Sequence, residues 1–358
     1  MTQQSFLFIP DISGFTEFVK DTEISHSRHV ISELLEVIVR SDELGMAVSE
    51  IEGDAVLFFL KNRAPTAREI VQQAEKTFQA FHSHLKRYEQ DRICPCGACK
   101  TAHQLTLKMV AHAGPMEVIR VQEFEKPYGP DVILAHRLLK NDVPAQEYLL
   151  ITEGLSAAGT ELPPWAELVP GSTSYETIGE LSYHHISLTP LRATVPDPPP
   201  LPQATRSARP ITREIHVPLP LEETFELISN FDHRLIWTQG VDDLAYVPDR
   251  VNRAGTRHQC VIDGNLLDFE TVKGNFGQDR LVYGERILGR TPVAEPTLYY
   301  ILEAVEGGTR VCAEVHYQPK PFPRSVLAPL FRLAFARQLP KALEALAEVG
   351  RNHTREEP

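Results

Sequence analysis

Between Thr189 and Thr212 the chain reads TPLRATVPDPPPLPQATRSARPIT, with seven prolines and almost no large apolar residues. Proline fixes its own φ and has no amide hydrogen, so such a stretch cannot run through the interior of a helix or a sheet. It favours extended conformations and acts as a semi-rigid spacer. At 358 residues the chain is also too long for one ordinary hydrophobic core. Two domains are expected, residues 1–188 and 213–350, joined by a proline-rich linker over 189–212.

Composition removes several classes of function. A net charge of -12 argues against nonspecific nucleic-acid binding, which depends on a basic surface. No apolar run reaches the roughly 18 residues of a membrane span. The start, MTQQSFLF, lacks a basic segment and has too short an apolar stretch for a signal peptide, so a cytoplasmic protein is expected. Five cysteines do not make a disulfide scaffold.

The first domain alternates strand and helix. Phe6 to Ile9 reads as a buried strand, and Val30, Ile31, Leu34, Leu35 and Ile38 recur at helical spacing. MAVSEIEGDAVLFFL, from Met46, reads as two strands joined at Glu52-Gly53-Asp54. A second amphipathic helix covers Ala64 to Tyr88, and AHQLTLKMVAHAG, from Ala102, is a strand. IRVQEFEKPYG, from Ile119, reads as a strand and a turn. A short helix from Asp131 and the strand EYLLIT, from Glu147, complete the order. Helices packed on a sheet are expected.

Two carboxylates stand out in that order. Asp11 closes an apolar strand, and Asp54 sits at the tip of the next hairpin. If those strands are neighbours, both acids share one cleft and repel each other unless a cation lies between them. A pair of Mg²⁺ or Mn²⁺ ions is the usual answer, and such ions in turn hold phosphates. Ser13 and Gly14, with the backbone of Phe15 and Thr16 at the following helix start, offer N–H groups to an anion. Taken singly, Asp11 reads as a helix cap, Asp54 as a turn residue and Arg137 as a solvated helix charge.

Taken together the segments resemble class III nucleotide cyclases. FIPDISGFTEF (8–18) is similar to the family's first-strand motif, and SEIEGDAVLFF (49–59) to its second-metal hairpin. VAHAGP (110–115) is similar to its His-x-Gly-Pro strand, YGPDVILAHRLL (128–139) to its Ala-x-Arg-Leu helix, and EYLLIT to the strand that follows. The resemblance implies a ferredoxin-like βαββαβ fold and a homodimer with the active site at its interface. It implies two metal ions on Asp11, Asp54 and the Ile12 carbonyl. It assigns Arg137 to the transition state, supplied by one protomer to the other. The implied reaction turns a nucleoside triphosphate into a 3′,5′-cyclic nucleotide and pyrophosphate.

Departures from the pattern are specific. Ile133 stands where the family carries a ribose-binding Asn one helical turn before the Arg. The base-reading positions hold Glu50 and Lys126. Glu50 suits the guanine N1–H and amino group, whereas Lys126 fits neither standard pair and either donates to a base carbonyl or pairs with Glu50.

A second cluster lies in RICPCGACKTAH, where Cys94, Cys96, Cys99 and His103 supply three thiolates and an imidazole suited to a structural zinc ion. His82 and His84 on the preceding helix are alternative fourth ligands.

The second domain reads as a strand and short helix over 213–237, six further strands, and a long apolar-faced helix at the end. That pattern resembles the START-like (SRPBCC) superfamily, the helix-grip fold with an antiparallel sheet. The resemblance implies a cavity for an apolar small molecule, to which His258, His316 and Glu314 are candidate linings. The whole chain is expected to be α+β. Its function is expected to be a nucleotide cyclase coupled to a small-molecule-binding domain, or a catalytically degenerate cyclase fold that senses a nucleotide or a hydrophobic ligand.

Overall fold

The computed structural model describes residues 4–155, 161–176, 179–201, 204, 206–238, 240–248, 250–262, 264–274, 280–321 and 324–356. Within the linker, Pro202, Gln203 and Thr205 lie outside the described residues. The chain divides into two compact units, Met1–Glu89 with Thr101–Pro198, and Gln90–Lys100 with Pro199–Pro358. The proline-rich segment includes one short 3₁₀ turn, Thr189–Thr194, before the first strand of the second unit.

The first unit begins with β1 (Ser5–Ser13), α1 (Phe15–Asp21) and α2 (Ile24–Arg40). β2 (Ala47–Glu52) and β3 (Ala55–Leu60) form the expected hairpin, and α3 (Ala67–Asp91) follows. After the small helix α4 (Gly97–Thr101), which falls almost wholly in the second unit's segment Gln90–Lys100, come β4 (Thr106–Gly114), β5 (Glu117–Val121) and β6 (Phe124–Tyr128). α5 (Pro130–Arg137), β7 (Tyr148–Thr152), β8 (Val169–Tyr175) and β9 (Gly179–Ser187) complete it. The sheet order is β2-β3-β1-β4-β7-β9-β8. Its first four strands, in the order 2-3-1-4, each run antiparallel to their neighbours, which is the ferredoxin-like βαββαβ arrangement.

Strand β1 has both edges paired, to β3 and β4, and its side chains are buried on both faces as far as Pro10. Leu7 and Ile9 enter a core with Leu57, Val110, Val132 and Leu138. Alternation turns Phe6 and Phe8 to the opposite face, where Phe8 and Phe58 lie 6.3 Å apart. Helices α2 and α3 bury Val30, Leu34, Ile38, Val71 and Phe78 at the spacing seen in the sequence. Their ends are joined by hydrogen bonds, since Gln73 Nε2 donates to the Ser41 carbonyl at 2.9 Å.

Two features differ from the sequence expectation. IRVQEFEKPYG forms the complete hairpin β5–β6, turning at Gln122 with φ 56°. Glutamine is a weak turn signal compared with Asn or Gly, which hid the second strand. β8 and β9, rich in small and polar residues, extend the sheet beyond β7.

The His-x-Gly-Pro segment fastens α5 to the sheet. His112 is buried between Thr152 Oγ1 and Asp131 Oδ1, at 2.9 Å from each. Gly114 makes room for this pairing, because a Cβ there would overlap the Asp131 carboxylate.

The second unit is one antiparallel sheet in the order β10-β16-β15-β14-β13-β12-β11. β10 (Ile211–Val217) leads to α6 (Leu221–Ser229) and α7 (Arg234–Trp237). The remaining strands run as a meander: β11 (Val241–Ala245), β12 (Arg257–Ile262), β13 (Asn265–Lys273), β14 (Leu281–Leu288), β15 (Ala294–Val305) and β16 (Gly308–Gln318). The long α8 (Ala328–Glu356) packs against β10 and buries Leu339, Leu343 and Leu346. This is the expected helix-grip architecture.

Gly114→Ala is expected to separate His112 from Asp131 and to lower stability by on the order of 1–3 kcal/mol. Urea denaturation measures the loss. Asp131→Ala added to Gly114→Ala should cost less than Asp131→Ala alone, because both changes break one contact.

Candidate functional site

The register of β1 decides where its carboxylate goes. Asp11 pairs with Ala55 of β3 on one side and Lys108 of β4 on the other. Gly53 and Asp54 turn the β2–β3 hairpin, with Gly53 in the left-handed region at φ 59°. The Ile12 amide donates to the Asp54 carbonyl at 3.0 Å, which ties the hairpin tip to the end of β1. Gly14, also left-handed at φ 88°, then starts α1. The Phe15 ring lies 3.8 Å from the position a Gly53 Cβ would take, so Ser13 to Thr16 run beside the hairpin tip.

Asp11 and Asp54 line one cleft of about 150 Å³, and Glu50, Glu52 and His136 share its wall. Burial, with the nearby Asp54 charge adding to it, pushes the Asp11 carboxyl up to about 6, against the opposing pull of Lys108. Burial raises Asp54 as well. The cation that stands against Asp11 is Lys108, whose Nζ lies 3.7 Å from Asp11 Oδ2 while donating to the Leu139 carbonyl at 3.2 Å. The oxygen donors Asp11, Asp54 and the Ile12 carbonyl are a hard set of the kind Mg²⁺ or Mn²⁺ takes.

The proposed base readers meet each other. Lys126 Nζ donates to Glu50 Oε2 at 2.6 Å, and His136 Nε2 lies 3.3 Å from Glu50 Oε1. Arg137, at the end of α5, is exposed and does not line the cleft; its carbonyl accepts from Tyr175 Oη at 2.7 Å. Ile133 is 60% exposed on the same helix. Lys108, Glu52 and His136 were missed by sequence reasoning. Lys108 had a signal in the β1–β4 pairing, because a basic residue in an otherwise apolar strand has to face something.

The loop cysteines also converge. The Sγ atoms of Cys94, Cys96 and Cys99 lie within 4.8 Å of one another, and none is in a disulfide. Hydrogen bonds to the Cys94 and Cys96 sulfurs, together with burial, push the Cys99 thiol well above its ordinary value. His103 is not among the groups that gather on these thiols. His103 sits in the separate 3₁₀ turn Ala102–Gln104 that ends the loop. The alternatives His82 and His84 are committed elsewhere, 2.9 Å from Glu147 and Glu33 respectively.

In the second unit Arg234 and Glu285 form a fully buried ion pair. Tyr283 Oη donates to Glu285 Oε1 at 2.5 Å, and Asn252 Nδ2 donates to Tyr283 Oη at 3.3 Å. Burial works to raise Glu285, but the Arg234 and His258 charges and the hydrogen bonds from Tyr283 and Arg234 together outweigh it and leave that carboxyl low. His258 is stacked between Phe231 and Phe269, 3.5 Å from Glu285, and burial lowers it to about 4. His316 bonds to Glu314 at 3.0 Å and accepts from the Ser207 amide at 3.1 Å.

A carboxyl with a folded pKa near 6 and an ordinary value of 3.8 holds its proton more tightly in the folded chain. Its contribution to stability therefore falls as pH rises from about 4 through about 6, and stays low above that. Asp11→Asn removes that loss. In metal-free buffer it should stabilise the protein by up to about 3 kcal/mol at pH 8, with the gain vanishing near pH 4. Denaturant titrations across this pH range measure it.

Comparison with known proteins follows this geometry. Residues 31–148 match a family described as a protein of unknown function (DUF2652), and residues 209–351 match the family "Polyketide cyclase / dehydrase and lipid transport". The guanylate cyclase domain of RhGC from Catenaria anguillulae, solved with GTP, is 14% identical, covering 52% of this chain and 97% of that one at a TM-score of 0.35. TTHA0849 from Thermus thermophilus is 18% identical, covering 40% of this chain and 99% of that one at a TM-score of 0.33. The fold assignment of the first unit rests on its own strand order. Uncharacterized protein Rv2561/Rv2562 of Mycobacterium tuberculosis is 32% identical over 172 residues, which is 48% of this chain and 78% of that protein. The chain belongs to the same family as Rv2561/Rv2562.

Proposed function

We propose that the first unit binds a nucleoside triphosphate with two Mg²⁺ or Mn²⁺ ions and closes it to a 3′,5′-cyclic nucleotide with release of pyrophosphate. The observation that carries this reading is the convergence of Asp11 and Asp54 on one acidic cleft, tied at the Ile12–Asp54 backbone bond. When bound there, the ions would neutralise the triphosphate and make the ribose 3′-hydroxyl a better nucleophile. Asp11, Asp54 and the Ile12 carbonyl hold them. Ser13, Gly14, Phe15 and Thr16 border the phosphates, and Glu50 with Lys126 faces the base.

The cleft of about 150 Å³ is smaller than the roughly 300–1,000 Å³ of a small-molecule site. A second copy of the chain completes it in this reading, and brings Arg137 to the charge that develops on the transferring phosphoryl group. The second unit holds an apolar small molecule and biases the cyclase dimer.

One observation favours a different reading. Lys108 already stands against Asp11, and Lys126 already occupies Glu50. With Ile133 in place of a ribose-binding side chain, these internal cations suit a cyclase fold that binds without turnover and leaves ligand sensing to the second unit.

Purified protein incubated with Mg²⁺ or Mn²⁺ and each of ATP, GTP, CTP and UTP decides between them. The cyclase reading expects cyclic nucleotide and pyrophosphate from one nucleotide, lost at least 100-fold in Asp54→Ala. Lys108→Met should tighten Mn²⁺ binding several-fold if the lysine competes with the ion. Folded, dimeric protein that makes no product and binds no Mn²⁺ even as Lys108→Met overturns the cyclase reading.

A further inference from the structure

The loop cysteines belong to the second unit, in its short excursion Gln90–Lys100, and play no part in the acidic cleft. Cys94 and Cys99 are buried and Cys96 is half-buried. Their three sulfurs lie within 4.8 Å of one another. A tetrahedral ion with Zn–S bonds of about 2.3 Å sets its sulfurs roughly 3.8 Å apart, so the cluster is already near that spacing.

The backbone is folded around the sulfurs. The Cys96 amide donates to Cys94 Sγ at 3.4 Å, and the Cys99 amide donates to Cys96 Sγ at 3.4 Å. The Lys100 amide then closes the turn on the Cys96 carbonyl at 3.1 Å. Amide hydrogens aimed at sulfur favour the thiolate, which is the form that binds metal. A chain that only needed to fill space here would use apolar side chains, since two buried thiols and a half-buried one gain nothing over them.

We propose that Cys94, Cys96 and Cys99 bind one zinc ion through their three thiolates. The thiolates form by loss of their protons to solvent as the ion binds, and no redox step is involved. The ion locks Gln90–Lys100 in its folded turn. The first residues of that segment are already held on the second unit, where the Ala254 amide donates to the Asp91 carbonyl at 2.9 Å and Lys273 Nζ donates to the Gln90 carbonyl at 2.7 Å. The proposal is independent of the cyclase reading and stands or falls without it.

The test uses the full chain, purified without added metal and with reductant. Elemental analysis should find one zinc per chain, released on thiol modification. Exchange with Co²⁺ should give an intense sulfur-to-cobalt charge-transfer band. Chelation should lower the melting temperature by on the order of 5 °C. Cys94→Ser, Cys96→Ser and Cys99→Ser should each lose most of the metal, while Cys260→Ser and Cys312→Ser keep it. The wild-type measurements hold even where a cysteine variant fails to fold. Reduced wild-type protein that carries no zinc and gives no cobalt band overturns the proposal, as does a disulfide between any two of the three cysteines in protein kept under reductant.

Discussion

The first unit is organised around a carboxylate that the sheet buries and does not fully neutralise. β1 lies between β3 and β4, which pair both of its edges, and its side chains are buried on both faces up to Asp11. The register that buries Leu7 and Ile9 leaves no freedom over where Asp11 goes. A slip of one residue would turn every apolar side chain of β1 to the other face. Asp11 is therefore held against the β2–β3 tip by the same pairing that makes the core, and Asp54 is held there by its backbone bond to Ile12. The precision of the cleft is inherited from the sheet.

Much of this was readable from sequence because each part has a local cause. Asp11 follows an apolar run, and Gly53-Asp54 has the chemistry of a tight turn. The helical spacing of Val30, Leu34 and Ile38 is plain. What escaped depends on pairings between distant strands. Lys108 acts on Asp11 only because β4 lies antiparallel to β1, and His136 reaches Glu50 only because α5 crosses this face of the sheet. The β5–β6 hairpin escaped for a different reason, since its turn uses Gln122 with a positive φ that the residue type does not advertise.

Buried charge is handled in two ways in this chain, and the contrast bears on function. In the second unit Glu285 receives an arginine in direct contact, a tyrosine hydroxyl and a nearby histidine, all buried with it. That carboxylate stays ionised and low because its cation is in place. Removing either partner would strand a charge, so the pair is self-contained and has no capacity left for a further ion.

The acidic cleft is built in the opposite way. Asp11, Glu50, Glu52 and Asp54 share one wall, yet Lys108 stands 3.7 Å from Asp11 and divides its hydrogens with a backbone carbonyl, while Lys126 is spent on Glu50. Burial raises both Asp11 and Asp54, with the Asp54 charge adding to the effect at Asp11. A sequence selected only for stability would place an arginine here, as it does at Glu285, or remove a carboxylate. In the cyclase reading proposed above, tolerating the repulsion makes sense because a cation arrives from outside. In that reading little separates a working site from a silent one, since a lysine head group that moves by an ångström or two would either leave Asp11 to an incoming ion or take the place of that ion.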